Sequence, residues 1–162
     1  MKLVLLFLLI VFSAGSKACE PTTLGETFWP NPQKNYFADL DNLKIKLVNV
    51  SRGTESSPCG DAGIITFKLD HEDSKYNKAI FSSYGFYFIA VSKDPLGVFH
   101  SLPMAAEKSK DGYYYISFPW VDASSLLNKD FEYKYKVQAI SNRLSLSNTF
   151  AEGTFKIERA NK

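Results

Sequence analysis

Ten residues, Phe131 to Ile140, alternate in character with a period of two. Tyr133, Tyr135, Val137 and Ala139 fall on one side of an extended chain, and Lys134, Lys136 and Gln138 on the other. Successive side chains of a strand point to opposite faces, whereas a helix would smear both sets around its circumference. The pattern therefore predicts a strand with one buried face, and the rest of the chain must supply both its sheet and the layer that covers it. The same period recurs upstream. Leu43, Ile45 and Leu47 alternate with Lys44 and Lys46, and Ile65, Phe67 and Leu69 alternate with Thr66 and Lys68. From Tyr84 to Val91 every residue except Gly85 and Ala90 is β-branched or aromatic, which predicts a strand apolar on both faces and central in its sheet. Tyr113 to Phe118, entered through Lys110-Asp111-Gly112 and stopped at Pro119, reads as a further strand, and Thr154 to Glu158 as the last. Only Met104 to Lys108 and Ala123 to Asn128 could be helical, and both are too short to stand alone. The expected fold is all-β: an antiparallel two-sheet β-sandwich of about seven strands over residues 40–162.

The N-terminus has a different logic. Met1 and Lys2 precede an unbroken apolar run from Leu3 to Phe12, followed by a small and polar stretch ending Ser16-Lys17-Ala18. A basic start, a short apolar centre and small residues at −3 and −1 predict a secretory signal over residues 1–18 and an exported, periplasmic or extracellular protein. As an anchor the run is too short. Ten residues span about 15 Å at about 1.5 Å each, half of a hydrocarbon core of about 30 Å, and no later segment reads as transmembrane. Removing residues 1–18 takes Lys2 and Lys17 from the 19 basic residues, leaving 17 against 17 acidic ones. A neutral mature chain has no general attraction for nucleic acid or anionic lipid. Residues 19–39, rich in Pro, Gly and Asn, read as an irregular leader laid on the surface.

Two cysteines, Cys19 and Cys59, remain in a chain sent to an oxidising compartment, and an even count is most simply one disulfide tying the leader to the body. Such a bond would close a loop of about 40 residues, worth about 4 kcal/mol by chain entropy. The alternative at Cys19 is lipidation, which excludes the disulfide; Lys17 and the absence of Leu at −3 depart from a lipobox.

The run Leu127-Asn128-Lys129-Asp130-Phe131-Glu132-Tyr133-Lys134-Tyr135-Lys136-Val137-Gln138-Ala139 resembles the fibronectin type III pattern, in which a Leu precedes a Tyr by six and an aromatic, a Val and an Ala follow at steps of two. The likeness extends to a fibronectin type III-like or immunoglobulin-like sandwich over about residues 40–158. Leu69 stands where that family carries a core Trp, and Lys129 where it carries a Pro. The resemblance makes Leu127, Tyr133, Tyr135, Val137 and Ala139 the residues that specify the fold. It also makes Tyr133 a corner tyrosine whose hydroxyl satisfies a backbone group in the preceding bend.

Catalysis finds no foothold in the motifs. There is no G-x-S-x-G elbow and no P-loop, and neither His71 nor His100 lies in a nucleophile or zincin motif. Asp70-His71-Glu72-Asp73 gathers ligand types for a cation but reads as a solvated turn, and Asp39-Leu40-Asp41-Asn42 lacks the Gly and Glu of a calcium loop. No metal or cofactor is expected. Among the aromatics, Trp120 beyond Pro119 is the first candidate for a surface anchor, with Tyr87 and Tyr114 as further binding candidates on sheet faces. Asn49-Val50-Ser51 is an acceptor for N-linked glycosylation in a host that glycosylates exported proteins. These features together predict a non-catalytic module recognising a protein partner, with a glycan-binding or hydrolytic protein as the alternative.

Overall fold

A computed structural model describes residues 25–34, 40, 42–52, 62–121, 129–148 and 150–159. The elements in order are β1 (Leu43–Arg52), β2 (Ala62–His71), a 3-10 turn (Ser74–Tyr76), α1 (Asn77–Ser83), β3 (Tyr84–Ala90), β4 (Glu107–Lys108), β5 (Tyr114–Val121), β6 (Phe131–Ser141) and β7 (Ala151–Ile157). Among the described residues seven strands form two antiparallel sheets, one ordered β1-β2-β5-β4 and the other β3-β6-β7. The all-β, two-sheet architecture is the one the period of two predicts.

Alternation builds the core. Ile65, Phe67 and Leu69 of β2 and Ile116, Phe118 and Trp120 of β5 turn inward from one sheet. Phe86 and Phe88 of β3, Tyr133, Tyr135, Val137 and Ala139 of β6, and Phe155 and Ile157 of β7 meet them from the other. The Phe67 ring lies 4.6 Å from Phe88 and 5.1 Å from Tyr135, so its contacts hold the two layers together. Each fully buried large side chain of this kind contributes about 1.5–3 kcal/mol.

Tyr133 is fully buried, stacked on Phe155 at 5.1 Å, and its hydroxyl donates to Asp94 Oδ1 at 3.0 Å. The same carboxylate accepts the N–H of Val98 at 3.0 Å and of Phe99 at 3.1 Å, so it organises the loop after β3 and moors it to β6. The bend at 122–128, where a backbone partner for the Tyr133 hydroxyl was expected, and with it Leu127, Cys19 and Cys59, lie outside the described residues.

Several local expectations are corrected. β3 is a terminal strand of its sheet, not a central one: on its second face Tyr87 is half-buried and Ile89 exposed, and its outer backbone edge is covered by other means. Phe86 exchanges both backbone hydrogen bonds with Met104 at 2.9 Å, and Thr27 bridges the far side of Met104. Met104 to Lys108 is accordingly extended, giving first that bridge and then β4, rather than helical. β5 continues through Pro119, since β4 pairs only with Tyr114 and Tyr115 and the rest of that side is an edge where a missing N–H costs no ladder bond. A helix that was not expected, α1, buries Ile80 and Phe81 and brings the Phe81 ring 4.4 Å from Tyr114, while the other expected helical stretch, Ala123 to Asn128, lies outside the described residues. The leader is also less superficial than its composition suggests. Phe28 is 6% exposed and covers Gly85, where a Cβ would come within 2.4 Å of the ring.

Candidate functional site

One end of the sandwich gathers three segments: the loop Trp29 to Lys34, the turn and helix from Ser74 to Ser83, and the hairpin tip between β6 and β7. At the tip, Ser141 N–H donates to Ser145 O at 3.0 Å and Leu144 N–H to Ser141 O at 2.9 Å. The Ser141 Oγ accepts the N–H of Arg143 at 3.3 Å and of Ser145 at 3.2 Å. This tight reversal puts Leu144 at φ 63°, the one non-glycine residue with positive φ among the described residues. A side chain in that region costs about 1–2 kcal/mol, and Gly or Asn normally fills it. Burial does not offset the cost, because Leu144 is 67% exposed.

Beneath the tip sits Asn142, 1% exposed. Its N–H donates to Ser83 O at 3.0 Å, its Oδ1 accepts the N–H of Asn31 at 2.8 Å, and its Nδ2 donates to Lys34 O and, at 3.4 Å, to Ser82 O. A single buried carboxamide thus ties hairpin, helix end and leader into one unit, with its polar atoms satisfied. Trp29, two residues from the Asn31 bond, is 78% exposed, and Leu146 is 56% exposed. On the turn before α1 the Lys75 ammonium lies 4.7 Å from the Tyr76 ring centre. Lys75 also pairs with Asp73 at 2.6 Å, and that bond holds the Asp73 carboxyl below its ordinary range and the Lys75 ammonium above its own. The arrangement is a rigid polar base carrying large apolar side chains into water.

The sequence candidates lie elsewhere. Trp120 is a correction: because β5 runs on to Val121, position 120 shares the inward parity of Ile116 and Phe118, and the indole is 4% exposed. It occupies space that only a glycine opposite allows, for a Cβ on Gly63 would lie 2.1 Å from its ring. Its Nε1 has no hydrogen-bond partner among the described residues. Tyr114, proposed for a sheet face, is likewise buried, under Phe81. Tyr87 is half-buried on the outer face of the three-stranded sheet opposite Gln138. The three are not brought together.

Asp70-His71-Glu72-Asp73 forms a capped turn. His71 N–H donates to Asn77 Oδ1 and Asn77 Nδ2 to Asp70 Oδ1, both at 2.8 Å, while His71 Nδ1 accepts the Asp73 N–H at 3.1 Å. His100 is exposed, 6.0 Å from the Phe118 ring. Among the described residues no three His, Cys, Asp or Glu side chains are grouped to hold a metal ion, and no helix is long and apolar enough to cross a membrane.

A concavity lies on the outer face of the four-stranded sheet. This shallow trough of about 450 Å³ is lined by Thr66, Glu107, Ser109, Asp111, Tyr115 and Ser117 among others. Thr66 Oγ1 and Ser117 Oγ are 3.1 Å apart, and the Tyr115 hydroxyl donates to Asp111 Oδ2 at 2.6 Å. That bond lowers the Asp111 carboxyl and raises the Tyr115 phenol from their ordinary values.

Asn142, Leu144 and Trp29 were missed by sequence reasoning. Ser141-Asn142-Arg143 after a strand signals a turn, but nothing in those letters says that Leu144 must take a glycine conformation. No protein-family model matches the chain, nor does any curated protein or solved structure.

Proposed function

We propose that the protein is an exported, non-catalytic binding module that holds a protein partner at the end of the sandwich carrying Trp29, Leu144 and Leu146. The observation that carries this reading is the strained, water-facing Leu144. A conformation costing about 1–2 kcal/mol, with no burial in return, is the kind of local expense found where a side chain is displayed for contact. The exposed Trp29 beside this fixed polar base is of the residue type in which recognition hot spots are enriched. Loops on a packed scaffold commonly serve this role.

The fibronectin type III-like or immunoglobulin-like kinship belongs to the same proposal. It is supported by the strand order, since first, second, fifth and fourth on one sheet with third, sixth and seventh on the other is the arrangement of constant-type immunoglobulin sandwiches. The buried Tyr133 at the start of β6 points the same way. Export rests on residues 1–18, and a Cys19–Cys59 bond would follow from it. Intact mass of the mature protein with and without reductant checks both: cleavage after Ala18 and a gain of two hydrogens on reduction are expected.

The binding test places a photo-crosslinking residue at position 144, and at Lys46 on the four-stranded sheet as control, in the protein exported by its own cells. Crosslinked partners at 144 that are absent at 46, and lost from pulldowns with Leu144→Gly, are the expected result. Equal crosslinking at both positions would remove the loop end from consideration.

A second reading, binding of a glycan, is favoured by the trough, whose hydroxyl and carboxylate lining suits a polyol. Glycan-array signal that disappears in Tyr115→Ala and survives Leu144→Gly would select it.

A further inference from the structure

We infer that Asn49 is a glycan attachment site and that its glycan shields the free edge of β1. The inference rests on the proposed export of the chain, since only an exported chain meets the transferase. Asn49-Val50-Ser51 has the acceptor spacing with no proline between. In the fold Asn49 is exposed, its carboxamide makes no hydrogen bond among the described residues, and it stands opposite Thr66, whose side chain lies on the water-facing side of β2. The register shift between Leu47 and Asn49 makes Val48 an extra residue, so the ladder is locally disrupted where the glycan would leave the strand.

β1 is a terminal strand of its sheet, and a row of unpaired backbone groups there invites pairing with another chain. Lys44 and Lys46 guard one end of this edge, and at the other the Arg52 guanidinium donates to Lys129 O at 2.7 Å and Glu158 O at 3.1 Å, closing that end against the neighbouring segments. Between them Leu47 to Ser51 carry no charge, and Val48 is 46% exposed. Asn49 sits inside this unguarded stretch. It also lies six residues along β1 from Leu43, which pairs with His71 at the recognition end, or about 20 Å at about 3.3 Å per residue. A glycan there leaves the loop end free.

The chemistry uses a lipid-diphosphate-linked oligosaccharide as donor. The Asn49 amide nitrogen forms a bond to C1 of the first sugar, the C1–O bond to the diphosphate breaks, and the lipid diphosphate leaves. The proton shed by the amide passes to a base of the transferase.

The experiment expresses the full chain with its own leader in a secreting host that glycosylates Asn-x-Ser. Secreted protein should run as one heavier species that collapses on treatment with peptide N-glycosidase, with Asn49 converted to Asp, and the shift should be absent from Asn49→Gln and Ser51→Ala. The secreted, glycan-free Asn49→Gln chain should sediment with a several-fold larger oligomer fraction than wild type, and Val48→Lys in that background should restore the monomer. Secreted but unmodified wild type overturns the site, and a glycan-free variant that stays monomeric overturns the shielding role. If the chain is retained in the cell, a replacement leader separates the cases: modification then upholds the site while the export reading fails, and its absence overturns the site.

Discussion

The Tyr133 hydroxyl spends its proton on a carboxylate that also caps two backbone N–H groups, so its removal is felt beyond one ring. A hydrogen bond to a charged acceptor is worth about 1.5–3 kcal/mol. Tyr133→Phe should therefore lower the unfolding free energy by about 2 kcal/mol in urea denaturation, and Asp94→Ala by more, because it strands the N–H groups of Val98 and Phe99. An unchanged midpoint for both would show that the loop after β3 is held by packing alone. At the surface, Tyr115 and Asp111 offer a titration test. Asp111, held below 3.8 by the bond from the Tyr115 hydroxyl, adds stability above that pH which is lost as pH falls through its folded value. Tyr115, held above 10.0 by the same bond, adds stability below that pH which is lost as pH rises through its folded value. Asp111→Asn should accordingly bring the Tyr115 phenolate transition in ultraviolet absorbance to lower pH. No movement would mean the bond does not persist in solution.

At the scale of elements, the β6–β7 hairpin carries a local strain at its tip. Its tip demands a left-handed residue and holds a leucine. Leu144→Gly should relieve about 1–2 kcal/mol of strain, offset in part by about 0.5–1 kcal/mol of added freedom in the unfolded chain. Thermal denaturation should thus show an unchanged or slightly raised Tm in a variant that, under the proposed function, loses partner binding. A variant that loses stability would mean that the Leu144 side chain packs in solution and is not held for contact. The elements also divide by how readable they were. Strands β1, β2 and β6 were plain because one face is wet and the other dry, which imprints a period of two. Helix α1 was invisible, because seven residues hold fewer than two turns and its stability comes from Ile80 and Phe81 entering a core built by distant strands.

On the scale of the molecule, the loop from Pro103 to Lys108 closes one side of the sandwich. It joins the β3 edge through Met104 and the β5 edge through Glu107 and Lys108, and the leader adds a layer over it through Thr27. Phe28 fastens that layer against Gly85. Phe28→Ala should cost about 3–5 kcal/mol, and hydrogen exchange at the Phe86 and Met104 amides should speed more than at the β6 amides. Uniform acceleration would instead mean that the layer melts only with the whole domain. The candidate site belongs to this scale as well. Asn142 joins residues 31, 34, 82 and 83 to the hairpin, and no sequence window contains those partners together.

What the sequence determined by itself was the division of each strand into a wet and a dry face, and so the two-layered all-β body, because a strand's side-chain period is fixed by its own backbone. Tertiary structure alone decided which aromatic residues were left in water. Trp120 and Tyr114 went inside once the strand's continuation and the covering helix were set, while Trp29 and Leu144 stayed outside. Exposure is a property of what else arrives at a position, and local pattern carries no record of that.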